Sequence, residues 1–107
     1  MSNPHEEYIK TIIKNAYIEL LSGIAEIHDG GIKSVDWFGH ECYIHFPDPT
    51  DSKRVTIRYY WESGSIRWEK DYYDGKGHGR SIGWRQNGDI WWDHECRNGR
   101  VVNRKFY

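Results

Sequence analysis

The chain has 107 residues, of which 37% are hydrophobic and 16% aromatic, with six Trp, eight Tyr and a formal net charge of −1. That length suits one domain with one modest core, and a pI of 6.6 lacks the strongly basic signature of a dedicated nucleic-acid binder. Two cysteines are too few for a disulfide framework, and no stretch approaches the roughly 18 apolar residues of a membrane span.

The opening segment, MSNPHEEY, lacks the basic and apolar regions of a secretory signal, so a cytoplasmic protein is expected. From there Ile9, Ile12, Ile13, Ala16, Tyr17, Leu20, Leu21 and Ile24 recur at helical spacing, which predicts one amphipathic helix within residues 1–28. Asn3 can cap it, Pro4 suits its first position, and Glu6 stands where a capping box places a carboxylate. Its stop is either Gly23 or the stretch up to His28, before Asp29-Gly30-Gly31.

From Ile32 the apolar period changes to two, which predicts strands near 32–37, 41–46, 54–61, 66–73, 79–85, 90–96 and 100–106. Pro47 and Pro49 break the ladder into a longer loop. With no linker-like stretch, residues 1–107 are expected to form one α+β domain: helix 1–28, non-repeat strands 32–59 and a repeated region 60–107. The abundance of Trp and Tyr predicts a core more aromatic than aliphatic.

The repeat emerges when the C-terminal half is shifted against itself by 24 residues, which sets Tyr60 on Trp84, Gly64 on Gly88, Ile66 on Ile90, Trp68 on Trp92 and Gly75 on Gly99. Ser63-Gly64, Asp74-Gly75, Asn87-Gly88 and Asn98-Gly99 are tight-turn pairs, because Gly tolerates positive φ and Asn or Asp tolerate it better than most. Each unit is thus a hairpin. Ile66, Trp68 and Tyr72, with Ile90, Trp92 and Cys96, fall on one predicted face; Arg67, Glu69, Asp71 and Tyr73, with Trp91, Asp93, Glu95 and Arg97, fall on the other.

Residues 58–104, with Tyr60 to Ile66 followed by Tyr73-Asp74-Gly75-Lys76-Gly77-His78-Gly79, resemble MORN-type repeats, in particular the variant of bacterial and viral proteins described as antitoxin-like. The second copy carries Val101-Val102-Asn103 in place of Gly77-His78-Gly79 and reads as a terminal cap. The resemblance implies a scaffold. It also implies a phage- or virus-like origin and an inhibitory role exercised by occluding a partner protein.

Several constellations bear on chemistry. His-Glu-Cys occurs twice, so His40, Cys42, His94 and Cys96 would make a tetrahedral zinc set if their strands met; the spacing is unlike that of zinc modules, and unrelated residues are the simpler reading. The same residues offer a Cys nucleophile with a His base. No phosphate loop leads into a helix, and neither H-E-x-x-H nor G-x-S-x-G occurs.

Residues 1–50 carry three Lys/Arg against eight Asp/Glu, and residues 51–107 twelve against eight, an asymmetry that can steer a charged partner or favour head-to-tail association. The expected function is a non-enzymatic protein-interaction module without a cofactor. Arg67, Arg85, Trp91 and Arg97 are the candidate partner-binding residues, with homodimerisation through an edge strand or the helix as a further possibility. The competing expectation is a nucleic-acid, anionic-ligand or lipid-headgroup binder using the same Trp/Arg face, weakened by the interleaved acids.

Overall fold

The computed structural model describes residues 3–107. One helix, α1 (Pro4–Ser22), is followed by strands β1 (Ile27–His28), β2 (Gly31–Val35), β3 (Glu41–His45), β4 (Arg54–Tyr60), β5 (Ile66–Tyr73), β6 (Lys76–Trp84), β7 (Ile90–Arg97) and β8 (Arg100–Asn103). Asn3 caps the helix through its side-chain oxygen, which accepts from the Glu6 amide at 2.7 Å, and Pro4 opens the first turn.

The helix does not continue to residue 28. Gly23 adopts φ 72°, its amide donates to Leu20 O and the Ile24 amide donates to Glu19 O, the Schellman closure that satisfies the last carbonyls. Ile27 and His28 turn back instead as a short strand on Ile32 and Gly31. Met1 and Ser2, included in the predicted helical segment, lie outside the described residues.

The eight strands form a single antiparallel sheet whose spatial order equals their order in the chain. The predicted repeat is reproduced in backbone detail: β5 and β7 begin at 66 and 90 and end at 73 and 97, a shift of 24 at both ends. Trp61 N–H donates to Ser65 O and Gly64 N–H to Trp61 O, and the same pair of bonds recurs from Arg85 to Asp89 O and from Gly88 to Arg85 O. Asp74 and Asn98 both adopt positive φ, at 51° and 50°, ahead of Gly75 and Gly99.

The predicted division at residue 60 understates this regularity. The β2–β3 turn carries the same bonding, Asp36 N–H to His40 O and Gly39 N–H to Asp36 O, with Gly39 at φ 85°. Residues assigned to a non-repeat region therefore supply a hairpin of the same build, one residue out of phase.

The core is aliphatic, contrary to the expectation from composition. Its most deeply buried side chains are Ile32, Ile44, Ile57, Val55 and Cys42, joined by Ile9, Ile12, Ile13 and Ala16 of α1 and by Tyr72. The aromatic residues instead lie at the edges of this core and on the rest of the sheet, because a helix crossing four strands leaves space for branched aliphatic packing but not for indoles. The helix thus covers β2 to β5 and leaves β6 to β8 bare on the same side. Leu21 and Ile24, counted in the predicted buried stripe, project beyond the sheet and are 71% and 75% exposed.

Candidate partner-binding surface

Cross-strand register sets out rows on the helix side of the sheet. One row runs through Ser34, Cys42, Tyr59, Trp68, Gly83 and Trp92, and the next through Ile32, Ile44, Ile57, Lys70, Ser81 and His94. Tyr59 and Trp68 stack at 4.7 Å with an interplanar angle of 11°. The indole of Trp92 lies flat over Gly83, where a Cβ would stand 2.3 Å from its ring, so this glycine is required by close approach rather than by a turn.

β-Bulges alter which residues share a side, and two of them fall at equivalent places in the repeat. Register slips between Tyr59 and Tyr60 opposite β5, and between Gly83 and Trp84 opposite β7. An extra residue in the strand suspends the period of two, so Arg67 lies beside Trp68 on the helix side and Trp91 lies beside Trp92, with ring centroids 5.7 Å apart. The predicted grouping of Arg67 with Glu69 and Asp71, and of Trp91 with Asp93 and Glu95, is corrected accordingly.

The same bulges produce a pairing that sequence alignment alone does not reveal. The Arg67 guanidinium sits 4.7 Å above the Trp61 ring, and that of Arg85 sits 5.0 Å above the Trp91 ring. Residues 61 and 85, and residues 67 and 91, are equivalent under the 24-residue shift, so the two copies hold one cation–π pair with its members exchanged. Arg85 also donates to the main-chain oxygen of Tyr107 at 2.9 Å. Two of the four candidate partner-binding residues are therefore arginines already engaged by their own chain, and Trp91 is the platform for one of them. Arg97 stands apart on the β7–β8 hairpin, exposed and bonded to Glu95 at 3.2 Å.

The zinc set is not assembled. Cys42 is on β3, His94 and Cys96 are on β7 with three strands between, and His40 lies in the turn before β3, 3.7 Å from Asp36. Among the described residues no group of three or more His, Cys, Asp or Glu side chains is placed to hold a metal ion. Cys42 is fully buried, and burial, reinforced by the Asp36 charge, pushes its thiol up to about 12, which makes it a poor nucleophile at neutral pH.

Asp36 is the polar hub that sequence reading missed. Only 8% exposed, it accepts from the Phe38 and His40 amides at 2.9 and 2.8 Å through Oδ1 and from the Tyr59 hydroxyl at 2.8 Å through Oδ2. Burial, followed by this hydrogen bond, holds the Tyr59 phenol well above its usual value. The signal was present as an Asp three residues before a turn Gly, the side chain that bonds its own turn.

The side away from the helix is polar and self-paired. Arg58 meets Glu69 at 2.8 Å, and Arg80 meets Asp93 through two bonds of 2.8 and 2.7 Å. The Arg80 hydrogen bonds hold the Asp93 carboxyl below the usual carboxylate range. His28, Tyr43 and Tyr60 form a triangle of rings with centroids 5.1 to 5.3 Å apart.

The end of the sheet is different. Among the described residues β8 pairs only with β7, and all four of its residues are exposed. Beyond it, residues 105–107 return to β7 through Asp93 N–H to Lys105 O and Tyr107 N–H to Trp91 O, both 2.9 Å. Val102, Phe106 and Tyr107 are at least half exposed there, among Arg97, Arg100, Arg104 and Lys105.

No protein-family model matches the chain, no curated protein is significantly similar to it, and no solved structure matches its fold at a significant level. No helix among the described residues is long and apolar enough to cross a membrane.

Proposed function

We propose that this chain is a non-enzymatic, MORN-like interaction module whose binding element is the open edge of β8, and that its partner is a protein presenting an extended, acidic segment. What supports this reading is the combination at one edge of strand backbone unpaired among the described residues, exposed apolar side chains and three basic residues, Arg100, Arg104 and Lys105, with Arg97 of the adjoining strand close by in the hairpin and bonded to Glu95. An added strand would complete the backbone hydrogen bonds, and alternate side chains would meet Val101, Val102 and the cations. Covering a partner's segment in this way is a route to inhibition by occlusion, the role implied by resemblance to antitoxin-like repeats.

Charge favours a different protein over a second copy of this chain. Two β8 edges paired together would set basic residues against basic residues, a like-charge arrangement that edge strands use to prevent self-pairing. An oligonucleotide reading is less well supported, because Arg58 and Arg80 are paired with Glu69 and Asp93 and the chain carries a formal net charge of −1.

The test is selection from a displayed random-peptide library on the immobilised protein. Acidic peptides of high β propensity should emerge, protect the β8 amides from hydrogen exchange, and lose at least about tenfold in affinity against R97E/R100E. Selected peptides that are not acidic, or that protect amides elsewhere, would overturn the proposal.

A further inference from the structure

A second recognition site lies at the seam where the helix stops covering the sheet. There a cavity of about 360 Å³, within the size range of small-ligand pockets, has aromatic walls from Phe38, Tyr59, Trp68 and Tyr72 and two cations, Arg67 and Lys70. Asp36 also contributes to its lining, but both of its carboxylate oxygens are already occupied by the turn amides and the Tyr59 hydroxyl.

Lys70 is the anomalous residue. It occupies the helix-side row between Ile57 and Ser81, a row that is isoleucine through β2, β3 and β4, and it is only partly exposed. Its stem passes so close to Gly77 that a Cβ there would lie 2.7 Å from Cε, and its ammonium stands 5.4 Å from the centre of the Tyr72 ring. Among the described residues neither Lys70 nor Arg67 forms an ion pair, while Arg58, Arg80 and Arg97 pair with carboxylates on the opposite side or at the hairpin end. The Lys70 ammonium thus stands on the core side of the sheet beside an aromatic ring, with no carboxylate bonded to it among the described residues.

We infer that this cavity binds a small planar aromatic anion, whose ring extends the Tyr59–Trp68 stack and whose phosphate or carboxylate is held between Arg67 and Lys70. Offset stacking on the indole supplies the apolar contact, and the two cations supply charge-assisted hydrogen bonds in a site shielded on one side by α1. The site is separate from the β8 edge, so either can be disproved without affecting the other.

The 107-residue chain would be titrated with AMP as the phosphate probe and 2-naphthoate as the carboxylate probe, with adenosine and inorganic phosphate as half-ligands. The readout is the Trp68 indole N–H resonance, assigned with W68F, because this N–H donates to Ser81 Oγ at 3.3 Å and borders the cavity. Saturable shifts are expected from AMP, 2-naphthoate or both, with a dissociation constant below about 1 mM and with each half-ligand at least tenfold weaker. The probe that saturates identifies the anionic group. K70M and R67M, checked for native thermal unfolding, should each weaken binding about tenfold, a loss of about 1.4 kcal/mol. Should K70M not fold, K70R, which keeps the charge, should bind within about threefold of wild type. The inference fails if neither probe saturates, if adenosine binds as well as AMP and 2-naphthoate does not saturate, or if a folded K70M binds the saturating probe like wild type.

Discussion

Replacing Gly83 with alanine probes the closest packing on the uncovered half of the sheet. A Cβ at this position would lie 2.3 Å from Cη2 and 2.4 Å from Cζ2 of Trp92, whereas carbon atoms in contact sit about 3.5–4.0 Å apart, so the indole must move by more than about 1 Å. A fused ring with two side-chain torsions cannot yield locally; it must swing away as a unit, giving up its place over β6 and its weak bond to Ser81 Oγ at 3.5 Å. Overpacking of this kind costs about 1–3 kcal/mol, and removing a strand glycine returns about 0.5–1 kcal/mol, leaving G83A destabilised by about 1–2 kcal/mol. In a W92A background the obstacle is gone, and the same substitution should be neutral or stabilising by about 0.5 kcal/mol. The measurement is a double-mutant cycle from urea unfolding, with an expected coupling of about 2 kcal/mol. Equal cost in both backgrounds would show that the strand backbone, not the indole, demands glycine here, and the argument from close approach would be wrong.

Other consequences concern pairs and buried polar groups. The exchanged cation–π pairs predict that W61R/R67W is more stable than the sum of its single variants implies, by about 0.5–1 kcal/mol in thermal or urea unfolding; simple additivity would remove the idea of one pair held in two orientations. D36A strands two turn amides and the Tyr59 hydroxyl and should cost about 3 kcal/mol, while D36N, which keeps an acceptor, should cost less; equal losses would mean the carboxylate's charge matters more than its acceptors.

His45 gives a pH dependence. Burial, with the Arg58 charge as the next cause, lowers its pKa in the folded state, and its Nε2 is buried without a partner. The unfolded chain therefore takes up a proton first, so this contribution is fully present above about pH 6.5 and is lost as pH falls toward the lower folded value. The stability difference between wild type and H45F should be flat above about pH 7 and shrink below it. A difference that stays constant down to about pH 5 would refute the assignment.

Much of the fold was legible because its signals are local. Asn3 and Pro4 mark the helix start, and Asp74-Gly75, Asn87-Gly88 and Asn98-Gly99 mark turns by the φ values they tolerate. The helix stop was ambiguous because Ile24 and Ile27 continue the apolar period past Gly23, and only the closing hydrogen bonds decide between the two. Faces near residues 67 and 91 were misread for another reason: a bulge is a property of two strands in register, invisible in either alone. The β2–β3 hairpin was legible from its two strands, but its likeness to the repeat escaped because Asp36-Trp37-Phe38-Gly39 keeps the turn geometry with different side chains and a shift of one residue. For the site, residue type alone singled out Arg67 and Arg85, and the structure shows both resting on indoles of their own chain. Lys70 and Asp36 stood out only once their neighbours were known.

The agreement between strand order and chain order has a consequence for how the molecule forms and grows. Each strand joins one that precedes it immediately, so no hairpin waits for a distant segment, and loop-closure entropy is met in small increments. The main core is complete once Tyr72 is in place; everything after it adds length to the sheet with little new aliphatic burial. Cohesion should therefore decline from the helix-covered strands toward β8. The same gradient makes the chain modular at its far end, where another hairpin of 24 residues could be gained or lost by duplication without disturbing the part that holds the molecule together.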